Sequence, residues 1–411
     1  MPDLDSFGER YIQLAFRIHQ HLDGYVDAYI GDPALRDAVL NQSPLPVGAM
    51  LAEADSLLNL LATSDYPARR RIYLHKQLIA MQTACRHIAD DKLPYREELR
   101  RYFDIDPQPI DNDVFDHAIE ELETLLPGHG SVAERMITWR KRFEINGQQA
   151  QTVMPLIADE LRSRTTALYP LPEGENVEFR MVSNQPWGGF NWYHGNYASG
   201  VDINTDLPIA ANGLTNLIAH EAYAGHHTEH CIKERDLFYG RGWAEQSIFL
   251  VNTPECVIAE GIANLASHVL FADGELVRWQ AEHVYPRVGI DGDPEREQRI
   301  NRAGAALAGV RGNAALMLHD EGRSEADVIQ YLMRYALISE DRAHKTLSFL
   351  NDPLWRAYIF TYFYGEHLLD AWMQRGDKVE RFGTLLHEQI YPSLIEQWIF
   401  DERSSCGVGR S

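Results

Sequence analysis

Apolar residues recur at helical spacing through most of this 411-residue chain, and that period sets the expected fold class. Leu22, Tyr25, Val26 and Tyr29 share one face of a 3.6-residue repeat, as do Ala54, Leu57, Leu58 and Leu61, and again Val114, Ala118, Ile119 and Leu122. Two helix starts are marked by their chemistry. Asp32-Pro33 offers a capping carboxylate followed by the residue suited to a first helical position, and Ser131 to Glu134 has the form of a capping box. The period changes after the turn-rich Tyr169 to Gly174, where Val177 to Val182 alternates like a half-buried strand. Gln185 to Gly195, rich in glycine and aromatics, and Ala198 to Asn204 complete a small sheet. Beyond Leu214 the helical period returns and ends in a last long helix through Phe382, Leu385, Leu386 and Ile390. The expected fold is mainly α: a large helical body with a deep cleft and a small β-sheet near residues 176–206. A boundary near residue 172 separates an N-terminal helical region, 1–171, from a catalytic-like region, 172–411, as two units or one continuous fold.

Composition narrows the function classes. Apolar residues make up 45% and charged residues 24%, which suits a folded globular chain and not a disordered one. A formal charge of −22 with no long Lys/Arg run repels phosphate backbones and anionic lipid, so neither nucleic acid nor membrane is expected as a partner. Cys85, Cys231, Cys256 and Cys406 form no CxxC pair, which argues against a thiolate metal site or a disulfide framework. With no leader-like opening and no long uncharged apolar stretch, a cytoplasmic setting is expected.

The chemistry concentrates at His220 and Glu221. Leu214, Leu217 and Ile218 place both residues well inside a helix that opens near Asn212. Zinc-hydrolase helices usually carry two histidines four residues apart, so that both imidazoles reach one ion. Here Ala224 stands at that position and the next histidines are His226 and His227. In an unbroken helix His226 would lie roughly 9 Å along and about 120° round from His220, too far to share a metal. The chain must therefore bulge or kink, and Gly225 is the residue that permits it. A third ligand is expected from a second helix, Glu255 to His268, whose apolar face is Val257, Ile258, Ile262 and Leu265, with Glu260, Asn264 and His268 aligned on another. A carboxylate in so apolar a helix is costly unless paired or metal-bound. Glu260 is the chosen ligand and Glu255 the fallback, and His227 is the alternative to His226.

These segments resemble the domain of unknown function 885 family, helical proteins similar to zinc peptidases. The family signature His-Glu-Ala-x-Pro-Gly-His-His aligns with His220 to His227, with Ala224 in place of proline. A Glu-Gly-Trp-Ala motif corresponds to Glu260-Gly261-Ile262-Ala263, and an arginine followed by histidine to Arg311 and His319. A Ser-Tyr-x-x-Gly element is similar to Thr361-Tyr362-Phe363-Tyr364-Gly365. The resemblance spans roughly residues 175–370 and implies a helical fold and one zinc ion.

On this reading the chain is a metal-dependent hydrolase, a zinc peptidase of short peptides. Glu221 is the general base toward a zinc-activated water, Tyr362 and His319 are donors to the developing oxyanion, and Arg311 binds a substrate carboxylate. Ser199 and Val201 lie on a strand that could hold an extended peptide by edge pairing. Two alternatives stand beside it: a catalytically degenerate relative that binds a ligand or partner, and a zinc hydrolase of non-peptide amides or esters.

Overall fold

The computed structural model describes residues 2, 4–185, 187–206 and 208–407, without the side chains of 405–407, so the Cys406 thiol lies outside it. The first half is a succession of capped helices: α1 (Ser6–His19), α2 (Pro33–Leu40), α3 (Val47–Ala62), α4 (Ala68–Ile88), α5 (Tyr95–Phe103), α6 (Asn112–Leu125), α7 (Val132–Lys141) and α8 (Gly147–Leu168). The capping signals hold. Asp32 accepts from the Ala34 N–H, and Ser131 and Glu134 cap each other's backbone amides.

One early helical expectation fails. Gly24, at φ +81°, stops the turn that follows α1, and Val26–Tyr29 is a strand, β1. β1 pairs antiparallel with the remote β7 (Ile248–Leu250). Between them in sequence lie β2 (Glu144–Ile145), β3 (Asn176–Val182), β4 (Gly189–Gly195), β5 (Ala198–Asn204) and β6 (Ile209–Ala210). The small sheet has the order β3-β5-β4, parallel between β3 and β5 and antiparallel between β5 and β4. β2 pairs with β6 across the expected boundary near residue 172, and one apolar cluster runs from Phe7 to Ile395. Both ties cross that boundary, and the described residues are mainly α.

Three helices carry the candidate site: α9 (Ala211–Glu221), α10 (His226–Lys233) and α11 (Pro254–Leu270). α9 starts one residue ahead of Asn212, from Ala210, with no side-chain cap; backbone pairing of Ala211 N–H to Phe143 O supplies the anchor instead. α11 is the central element, and of its residues only Asn264 and His268 escape burial. The helix Ile359–Met373 crosses it at backbone contact: a Cβ at Gly261 would sit 2.8 Å from the carbonyl of Gly365, and one at Gly365 would sit 2.2 Å from Val257 O. Only a pair of glycines allows that approach. The expected last long helix is two, since Lys378–His387 ends before Ile390 and Pro392 opens the next. No single described helix is long and apolar enough to cross a membrane; one pair bent by 68° passes by length and composition together, and it includes the buried α11.

Candidate active site

The helix carrying His220 breaks where required. α9 ends at Glu221, Ala222 turns away at φ −125°, ψ −92°, and Ala224 takes the left-handed φ of +66°. Thr228 stitches the gap: its hydroxyl accepts from the Ala224 N–H at 3.1 Å and donates to Ala222 O at 3.2 Å. The expectation was that Gly225 supplies an unusual backbone angle. Its role proves to be space, because a Cβ there would lie 2.0 Å from His220 O and 2.4 Å from Ala219 O. The left-handed residue is Ala224, at an ordinary alanine's cost of about 1 kcal/mol.

The break restores a shared centre. His220, His226 and Glu260 each offer a ligand atom, and these atoms lie within 4.8 Å of one another. The two imidazoles meet edge to face at 4.7 Å between ring centroids. Asn264 fixes the first of them. Its amide donates to Tyr362 O, so its carbonyl faces His220 and accepts from Nδ1 at 3.0 Å, which leaves the Nε2 lone pair directed at the cluster. Nε2 is 3.4 Å from Glu260 Oε2. Glu260 is held by the Tyr358 hydroxyl, which donates to Oε1 at 2.8 Å, while buried Oε2 has no hydrogen-bond partner.

Burial sets the electrostatics. It pushes His220 down to about 4 and His226 further below the ordinary imidazole range, so both rings are neutral with lone pairs available. It pushes Glu260 up to about 8, with Asp27 and Glu229 adding to the rise against the Tyr358 hydrogen bond. Glu221 is raised too, by burial and then by Glu260 and Asp27. Two neutral imidazoles, one carboxylate with an orphaned oxygen and a second carboxylate alongside form the donor set of a catalytic zinc site with an open position. The residues present therefore fit a single ion.

His227 is not part of this group, contrary to the alternative expectation. It is fully buried between Ser199, 2.8 Å from Nδ1, and Glu175, 3.0 Å from Nε2. Glu175 accepts from Arg162 Nε at 2.6 Å, Ser199 meets Asn191 at 3.3 Å, and Asn191 donates to Glu221 O at 2.6 Å. This chain of contacts ties the end of α9 to the small sheet. Glu255, the fallback ligand, is committed to Lys233 at 3.1 Å.

Of the remaining expected residues, Tyr362 is 38% exposed, its phenol raised by its surroundings and then by Glu260 and Glu221. Arg311 is exposed, with Tyr362, Arg342 and Arg140 as its electrostatic neighbours, and has no ion-pair or hydrogen-bond partner among the described residues. Three expectations are corrected. His319 is not at the cluster: its Nε2 meets Leu350 O at 2.6 Å and its ring packs on Tyr95 at 4.8 Å. Ser199 belongs to the His227 network and Val201 is core, because β5 is the middle strand, paired on both sides, and has no free edge. β3 and β4 are the two edge strands, and it is β4 whose Gly189 lies against Glu221.

Sequence reasoning passed over Asn191 and Tyr358, and over the role of Asn264. Only Asn264 had a signal, its alignment with Glu260 on α11. His230 follows His226 at the spacing of a ligand pair, yet its ring stacks on Tyr193 at 4.8 Å and stays 6.5 Å from that of His226.

Fold and site together define a mainly α protein with a two-histidine, one-glutamate centre. No family model and no curated protein matches the chain. Among solved structures it is similar to one from Colwellia psychrerythraea described as "the putative lipoprotein", at a TM-score of 0.51 and 15% identity over 90% of this chain and 72% of that one. Another, from Shewanella oneidensis and described as of unknown function, aligns at a TM-score of 0.49 and 11% identity over 86% and 72%. The first likeness shows a shared fold.

Proposed function

We propose that this chain is a metal-dependent hydrolase, a zinc peptidase of short peptides similar to the domain of unknown function 885 family. The observation that carries the reading is the convergence of His220, His226 and Glu260 beside Glu221, across a break between two helices. Zinc held by the three would supply Lewis acidity toward water and the scissile carbonyl. Glu221 accepts the proton of the attacking water and passes it to the departing amine. The Tyr362 phenol, kept protonated by its surroundings, donates to the oxygen that gains charge. Arg311, exposed and without a partner among the described residues, pairs with a substrate carboxylate. Asn264 and Tyr358 hold the ligands in place, and the edge of β4 beside Glu221 is the surface for an extended peptide, in place of β5.

The test is a peptide-library digest with zinc analysis of wild type and Glu221→Gln. The expected result is one zinc per chain in both, with turnover lower in the variant by about 10²–10⁴. Equal cleavage by both refutes the role of Glu221, and zinc-loaded wild type that binds peptides without cutting them makes the chain a ligand-binding protein. Ester or non-peptide amide turnover in the same screen would move the substrate class.

For location, Cys85, Cys231 and Cys256 are buried and unpaired, as the expected cytoplasm would leave them. The description of the Colwellia protein weighs the other way, toward a lipid-anchored chain outside the cytoplasm. Cell fractionation separates the two.

A further inference from the structure

We propose that the groove between α8 and β3 is a binding site for a free amino acid with a long apolar side chain, separate from the metal centre.

The groove holds about 330 Å³, at the small end of the ~300–1,000 Å³ that ligand sites occupy. One wall is an edge of the small sheet. β3 pairs only with β5, and its alternate residues Val177, Phe179 and Met181 line the groove with half-buried side chains. The opposite wall is α8, which contributes Met154, Pro155 and Ala158. Gln151, Asp159 and Arg162 complete the same helix face, because steps of three and four residues connect all six positions. None of His220, His226 and Glu260 lines the groove.

The charges on its rim select the ligand. Asp159 is exposed and has no hydrogen-bond or ion-pair partner among the described residues. Arg162, one turn further on, donates from Nε to buried Glu175 at 2.6 Å, yet its side chain stays 52% exposed and forms no ion pair with Asp159. Groups three residues apart on a helix stand about 5–6 Å apart at Cβ. That spacing suits an ammonium and a carboxylate borne on one carbon, the first donating to Asp159 and the second accepting from the terminal nitrogens of Arg162. A ligand of single charge would leave one of the two unanswered, and a phosphate would set its charge against Asp159. From this charged end the apolar walls continue toward Gln151 for about two turns of α8, ~11 Å, which accommodates an extended aliphatic or thioether side chain.

The experiment titrates the full chain with L-methionine, N-acetyl-L-methionine and glycine by calorimetry, and repeats the series on Asp159→Asn and on His226→Ala. The expected result is that L-methionine binds more tightly than either other compound by about 10-fold or more. Asp159→Asn should erase its advantage over the acetylated compound, and His226→Ala should change nothing. No binding of L-methionine, equal binding of all three, or an advantage that survives Asp159→Asn overturns the proposal. So does loss of binding in His226→Ala, which would put the amino acid at the metal centre. Because binding is read in a protein that lacks a metal ligand, the outcome is independent of whether the chain proves to be a hydrolase.

Discussion

Replacing Gly225 by alanine perturbs the point where the start of α10 passes the last carbonyls of α9. The new methyl would meet His220 O at 2.0 Å and Ala219 O at 2.4 Å, below the 3.0 Å that real Cβ contacts respect. Both obstacles are backbone, so rotamer changes cannot relieve the clash and the start of α10 must shift by about 1 Å. Overpacking of this kind costs ~1–3 kcal/mol, and restriction of the unfolded chain by alanine returns ~0.4–1 kcal/mol, for a net loss of about 1 kcal/mol. The functional loss is larger in proportion, because His226 is the first residue of α10 and moves with it. A misplacement of about 1 Å in a catalytic group costs on the order of 100-fold in rate. Urea unfolding, zinc titration and peptide turnover measure the three effects. The control is Ala224→Gly, at φ +66°, where glycine is at home and all three should hold. A Gly225→Ala protein that binds zinc and resists urea like wild type would refute the packing account of the break.

Zinc at about 100 times its dissociation constant should stabilise wild type by ~2.7 kcal/mol and leave His226→Ala unmoved, as read by thermal unfolding. His227→Gln should keep full zinc content and lose about 1–3 kcal/mol, because it breaks the Ser199 and Glu175 contacts while sparing the cluster. Ala224→Pro, which restores the residue of the family signature, should abolish zinc binding, since proline cannot take φ +66°. Glu297 is fully buried and raised by burial from 4.5 to about 7, against the hydrogen bond from Tyr285. Its folded value lies above its unfolded one, so its stabilising neutral form is intact below about pH 4.5 and lost as pH rises through about 7. Glu297→Gln should therefore match wild type at pH 4 and exceed it at pH 8 by up to ~3 kcal/mol in urea unfolding.

The parts of the site that were legible in sequence are those written in local spacing. His220, Gly225 and His226 stand within one short stretch, so the impossibility of a straight helix followed from geometry alone. Glu260 was legible because a carboxylate on an otherwise apolar helix is expensive. What lay out of reach depends on remote pairing. Val26 and Tyr29 sit at helical spacing, yet their segment is a strand because β7, far along the chain, pairs with it. Ser199 was read as a free edge for the same reason: strand order is invisible in an alternating pattern, and β5 proves to be central. His319 kept the spacing of the family element while its ring turned to Tyr95 and Leu350.

The crossing at Gly261 and Gly365 has a bearing on how the site can move. Those two residues lie in the segments that carry Glu260 and the Tyr358–Tyr362 pair, and their backbones touch without intervening side chains. That side of the site can only travel as one rigid slab. Any movement of Glu260 relative to His220 and His226 therefore has to come from the opposite side, where α9, α10 and β4 meet.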